Sequence, residues 1–101
     1  MSFIPPKRAQ EAGCRALEFR ASKPQSQRGM TPVGIARARD LCNGRAMSPE
    51  TVQRMKAYFD RHQSDKEGRT WDSWGKGRQA YAAWGDEAGY RWAKRIAGRD
   101  R

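Results

Sequence analysis

A chain of 101 residues, 37% of them hydrophobic, holds enough apolar material for one modest core and not for two, so residues 1–101 read as a single domain. Its 21 Lys and Arg against 11 Asp and Glu leave a formal charge of +10, with nine cations and four acids in the first fifty residues and twelve and seven in the rest, so no basic tail accounts for it. Two cysteines without CxxC spacing and a single histidine are too few for a zinc site, and no apolar run approaches the roughly 18 residues of a membrane span.

The first predicted element spans about residues 6–21. Pro5 and Pro6 end an extended lead and preset a first helical turn, after which Ala9, Ala12, Gly13, Ala16 and Leu17 recur at three- and four-residue spacing. Such a narrow stripe of small residues suits close helix packing, with Lys7, Glu11, Arg15 and Glu18 outside. The polar, breaker-rich stretch "SKPQSQRGM" predicts an exposed loop over 22–31. Thr31-Pro32 then supplies a cap and a first-turn proline for a second helix over 32–42, with Ile35, Ala38, Leu41 and Cys42 on one side and Asn43-Gly44 as its stop.

Ser48-Pro49-Glu50 opens a third helix over 49–62, in which Val52, Met55 and Phe59 fall on one face. Residues 63–77 are polar and contain glycine, yet they hold Trp71 and Trp74, whose indoles are costly to leave bare and should pin the loop. Shorter helices over 78–84 and 86–97 follow, the last with Asp86 as cap and Trp92, Ala93 and Ile96 inside. With no strand pattern anywhere, the expected fold class is all-α, a compact bundle of about five short helices. Leu17, Ile35, Leu41, Val52, Met55, Phe59, Trp84, Trp92 and Ile96 are its expected core.

Residues 1–6 lack the hydrophobic region of a secretory signal, so a cytoplasmic protein is expected, with Cys14 and Cys42 as reduced thiols packed like small apolar residues. No cofactor is implied. Arg37, Arg39 and Arg45 cluster around the end of the second helix, and Arg54, Lys56 and Arg61 lie on the third. Together they are the expected nucleic-acid-binding residues, because arginine forks onto phosphate without needing a particular base. The same cations would also suit a solvated helix back with intrahelical pairs such as Lys56 with Asp60. Trp71 and Trp74 could stack single-stranded bases or serve as core. His62 is expected to cap the third helix against the negative end of its dipole, since no serine or cysteine is coupled to it as a nucleophile. "GKGR" at 75–78 lacks the remainder of a phosphate loop and reads as a flexible lead into the fourth helix.

The segments "GIARARDLCNGRAMSPETVQRMKAYFDRHQSDK" and "AWGDEAGYRWAKR" resemble a small helical module of unassigned role that recurs in tailed-phage proteins. There an arginine-containing helix closes on Asn-Gly, a Ser-Pro-Glu-Thr helix ends in Phe-x-Arg-His, and a Trp-Gly-rich helix pair completes the domain. The likeness runs from "FIPPKRAQEA" to Ile96, with Trp84-Gly85-Asp86-Glu87 in place of the usual Trp-Gly-Gly-Asp. A shorter likeness is to the phage-repressor type of helix-turn-helix, with Val33 to Leu41 as recognition helix and Ser48 to His62 behind it. The break at 22–30 is longer than the roughly 3–4-residue turn of that motif.

Charge and resemblance together imply a small basic non-enzymatic phage-type protein in the infected host's cytoplasm or in the virion, contacting nucleic acid mainly through phosphates. The alternative is a protein-interaction module, in virion assembly or in inhibition of a host factor, whose partner is acidic.

Overall fold

The computed structural model describes residues 1–99, the last of these by its backbone alone. The fold is all-α, a bundle of five helices: α1 (Lys7–Ser22), α2 (Pro32–Cys42), α3 (Pro49–Arg61), α4 (Lys76–Ala83) and α5 (Asp86–Arg99). Short 3-10 turns at Gln25–Gln27 and Gln63–Glu67 give order to the two long connections.

Two of the helix starts are set by side chains. Thr31 Oγ1 accepts from Gly34 N at 3.2 Å and Ser48 Oγ from Thr51 N at 3.2 Å, each followed by a proline whose missing N–H would have found no partner in the first turn anyway. Gly44, at φ +67°, makes the left-handed exit after α2. The Gly75–Arg78 segment is no flexible lead: Gly75 occupies the cap position and Lys76 begins α4 two residues earlier than expected. His62 is the residue that follows α3 as its cap.

α1 packs mainly on α2 and α4, and α3 on α5. Ala16 of α1 meets Ala38, Ala82 and Ala83 in one cluster, while Val52 and Met55 meet Trp92, Ala93 and Ile96 in another. A third cluster joins Tyr58, Phe59 and Tyr81, and Trp84 packs against all three. Leu41, Val52, Met55, Phe59, Trp92 and Ile96 are buried as expected, whereas Leu17, Ile35 and Trp84 are half-buried. Alanines and tyrosines occupy much of the interior that a leucine-rich protein would fill with leucine. The N-terminal lead is held by an isolated antiparallel bridge, Phe3 to Met47, with N···O distances of 2.8 and 2.7 Å.

The reading of free thiols is overturned. Cys14 and Cys42 form a disulfide between α1 and α2, with Cα atoms 4.6 Å apart. Gly13 makes that approach possible: a Cβ there would lie 2.7 Å from both the Ala38 carbonyl oxygen and Leu41 Cβ. The cysteines are 28 residues apart in sequence, so the helix packing and not any local spacing brings them together.

Candidate functional site

The six expected phosphate-binding cations do not share one face. On α3, Arg54 and Arg61 are seven residues apart and so nearly eclipsed, both exposed, while Lys56 lies on the opposite flank of the helix and binds Asp60 at 2.7 Å. That flank faces α5, where Tyr90 Oη donates to the other Asp60 oxygen at 2.6 Å. On α2, Arg37 and Arg39 are two residues and therefore about 200° apart. Arg39 is exposed, but Arg37 is drawn inward, its side chain 12% exposed, with Nη1 3.2 Å from Asp40 Oδ2 and its guanidinium 5.5 Å from the Trp84 ring centroid. Burial, helped by the nearby charge of Arg54, pulls the Arg37 guanidinium below its ordinary value despite Asp40. Arg45 reaches the other oxygen of Asp40 at 3.8 Å. A continuous edge thus runs from Arg45 through the Asp40–Arg37 pair to Arg54 and Arg61, leaving Arg39 and Lys56 off it.

Beyond Arg61 the edge opens onto a cleft of about 630 Å³. Three segments converge there: Arg28 to Thr31 with Gly34 at the start of α2, Tyr58 to Asp65 at the end of α3, and Lys76, Gly77 and Ala80 at the start of α4, over Trp84. Arg28, Arg61 and Lys76 are exposed at this site, and Asp65 is its sole acid. Asp65 Oδ2 lies 3.1 Å from His62 Nδ1, and the His62 ring stacks on Tyr58 with centroids 4.3 Å apart. On its other neighbour, Trp84, Tyr58 stacks at 4.9 Å. Tyr58 is 7% exposed and its hydroxyl has no hydrogen-bond partner among the described residues. Burial first, and then the negative charge of Asp65, push that hydroxyl well above the ordinary tyrosine value, so it remains a proton donor.

The wall formed by residues 27–30 is fixed by Gln79, a fully buried side chain whose neighbours in sequence gave no sign of its role. Its Oε1 accepts from Gly29 N at 2.8 Å, while Nε2 donates to the Gln27 and Trp74 carbonyls at 3.1 and 2.9 Å. Arg20 Nε holds the Gly29 carbonyl from the other side at 3.0 Å. Met30, at φ +77°, sits in a conformation that costs a non-glycine residue free energy and persists because these contacts enforce it.

The two loop tryptophans are engaged by the protein itself. Trp74 stacks on Phe19 with centroids 4.1 Å apart, and the Arg78 guanidinium stands 4.1 Å from its ring and 4.8 Å from that of Trp71. Trp71 also meets Tyr81 edge-on at 5.2 Å. Among the described residues no group of three or more His, Cys, Asp and Glu side chains converges in a way that could hold a metal ion. Among the described residues no helix is long and apolar enough to cross a membrane.

Comparison with known proteins finds no family model, no curated protein and no solved structure that matches the chain.

Proposed function

We propose that this is a small basic, non-enzymatic protein that contacts nucleic acid mainly through phosphates. The observation that carries the reading is the edge from Arg45 past Arg37 and Arg54 to Arg61, continued by Arg28 and Lys76, on a molecule of net charge +10. Among the described residues Arg54, Arg61 and Lys76 make no ion pair or side-chain hydrogen bond, so their donors are available to phosphate oxygens. The setting implied by the resemblance, a tailed-phage protein in the cytoplasm of an infected cell or in the virion, belongs to the same proposal. The disulfide removes reduced thiols from the grounds for placing it in the cytoplasm.

Fluorescence anisotropy on two unrelated duplexes across a salt series tests the edge. Each phosphate neutralised contributes about −0.9 to the slope of log affinity against log salt. Arg54→Gln and Arg61→Gln should weaken both duplexes alike and each flatten the slope by about one such increment. Lys56→Gln and Arg39→Gln, off the edge, should do much less. Equal losses from Arg54→Gln and Lys56→Gln would sink the assignment, and negligible duplex affinity near physiological salt would leave the acidic-protein partner as the better account of the charge.

A further inference from the structure

The cleft at the end of the edge is built for more than a passing strand. Its volume of about 630 Å³ lies within the roughly 300–1,000 Å³ typical of small-molecule sites. Helix α4 begins at its wall without a side-chain cap, and the first-turn N–H groups of a helix lack intrahelical acceptors and carry the positive end of the dipole. A second observation points to a ligand independently of the helix end. Tyr58 lines the cleft with a hydroxyl that is buried and unpartnered, an arrangement that costs folding free energy unless something accepts its hydrogen bond. The wall opposite is already fixed by Gln79 and Arg20, so little ordering remains to oppose binding.

We propose that this cleft binds a phosphate monoester carried on a hydroxyl-bearing small molecule. The first-turn amides of α4 and the Tyr58 hydroxyl donate to the phosphate oxygens, and Arg61 and Lys76 match its charge. Asp65, which holds His62 through Oδ2, accepts from a ligand hydroxyl through Oδ1. A monoester presents three free oxygens to donors arriving from α3 and α4. A phosphate inside a strand has two and is flanked by sugar on both sides, which keeps it on the rim. Asp65 in turn disfavours a chain of several phosphates. This site is additional to the basic edge and stands whether or not a strand lies along it. A free mononucleotide and the phosphorylated end of a strand present the same chemistry.

Isothermal titration of the full chain, disulfide intact, with adenosine 5′-monophosphate, adenosine and inorganic phosphate decides the matter. The monophosphate should bind saturably one to one and be displaced by inorganic phosphate, while adenosine stays silent. Tyr58→Phe should weaken the monophosphate roughly 10-fold while leaving the melting temperature unchanged or raised, since the variant loses an unpartnered polar atom. A hydroxyl serving structure alone would give the opposite pair of results, unchanged binding and a lower melting temperature, and would overturn the site. So would the absence of any saturable heat with the monophosphate. Should Tyr58→Phe fail to fold, Arg61→Gln, on the exposed rim, decides by the same loss. A hexanucleotide with and without a 5′-phosphate assigns the source: preference for the phosphorylated strand places the ligand on a strand end, and equal affinities place it on a free molecule. Failure of duplex binding leaves these titrations unaffected, so the two proposals fall separately.

Discussion

Replacing Gln79 by leucine would strand three backbone groups at once, the Gly29 N–H and the Gln27 and Trp74 carbonyls, at a side chain with no solvent exposure. Each unsatisfied buried polar group costs about 1–3 kcal/mol, so Gln79→Leu should lower the unfolding free energy by about 3 kcal/mol or more in urea titration; a loss under 1 kcal/mol would mean that the wall is held without it. This residue was not legible in the sequence, because a glutamine at a core phase becomes useful only when a distant loop brings its backbone to it. Met55 and Phe59 were legible, since helical spacing alone marks them. Two carboxyls and three tyrosines, Tyr58 among them, set the pH response. Hydrogen bonds from Lys56 and Tyr90 hold the Asp60 carboxyl below its ordinary value, and although burial alone would raise Glu87, Lys66 and Tyr81 outweigh it and hold that carboxyl low too. Tyr81, chiefly through burial, and Tyr90, chiefly through its bond to Asp60, are raised. Lowered carboxyls stabilise the fold above their unfolded values near 4 and cease to do so as pH falls through the folded ones. Raised tyrosines stabilise it below about 10 and cease to do so as pH climbs further. The melting temperature should therefore form a plateau between about pH 5 and 9 and fall on both sides; a melting temperature that rises above pH 10 would contradict these contacts.

At the scale of the helices, α1 and α2 form the most constrained pair. Their packed faces, Ala9, Ala12, Gly13 and Ala16 on α1 and Ala38 and Leu41 on α2, were readable from spacing, as were the Thr31-Pro32 and Ser48-Pro49 starts, because caps and periodicity are local signals. The disulfide was not, because nothing in the chain between two cysteines 28 positions apart announces that two helix positions will meet. Closing a loop of that length removes unfolded-state entropy equivalent to about 3–4 kcal/mol. Replacing both cysteines with serine should reduce the unfolding free energy by about that amount, and dithiothreitol should do the same to the native chain. An unchanged denaturation midpoint in both would show that the packing around Gly13 suffices by itself. The early start of α4 at Lys76 has a comparable origin: Thr70 accepts from Gly75 N at 2.7 Å and closes the preceding turn, a contact that the glycines of "GKGR" concealed.

The whole molecule measures 41 × 26 × 21 Å, and its charge is arranged less simply than its sequence suggested. Residue type alone cannot separate Arg37, which packs inward on Trp84, from Arg39, which faces solvent, since both are arginines two positions apart on one helix. Nor could it foretell the cleft, whose three walls come from residues 28–34, 58–65 and 76–80 and exist only once the bundle has closed. One further consequence belongs to the covalent architecture. The exposed Gln25–Arg28 stretch lies inside the ring closed by Cys14 and Cys42, so a protease that cuts after Arg28 leaves Cys14 on one fragment and Cys42 on the other. The product is a two-chain molecule still joined by sulfur, its new amino terminus at Gly29 beside Gln79, migrating intact until a reducing gel divides it.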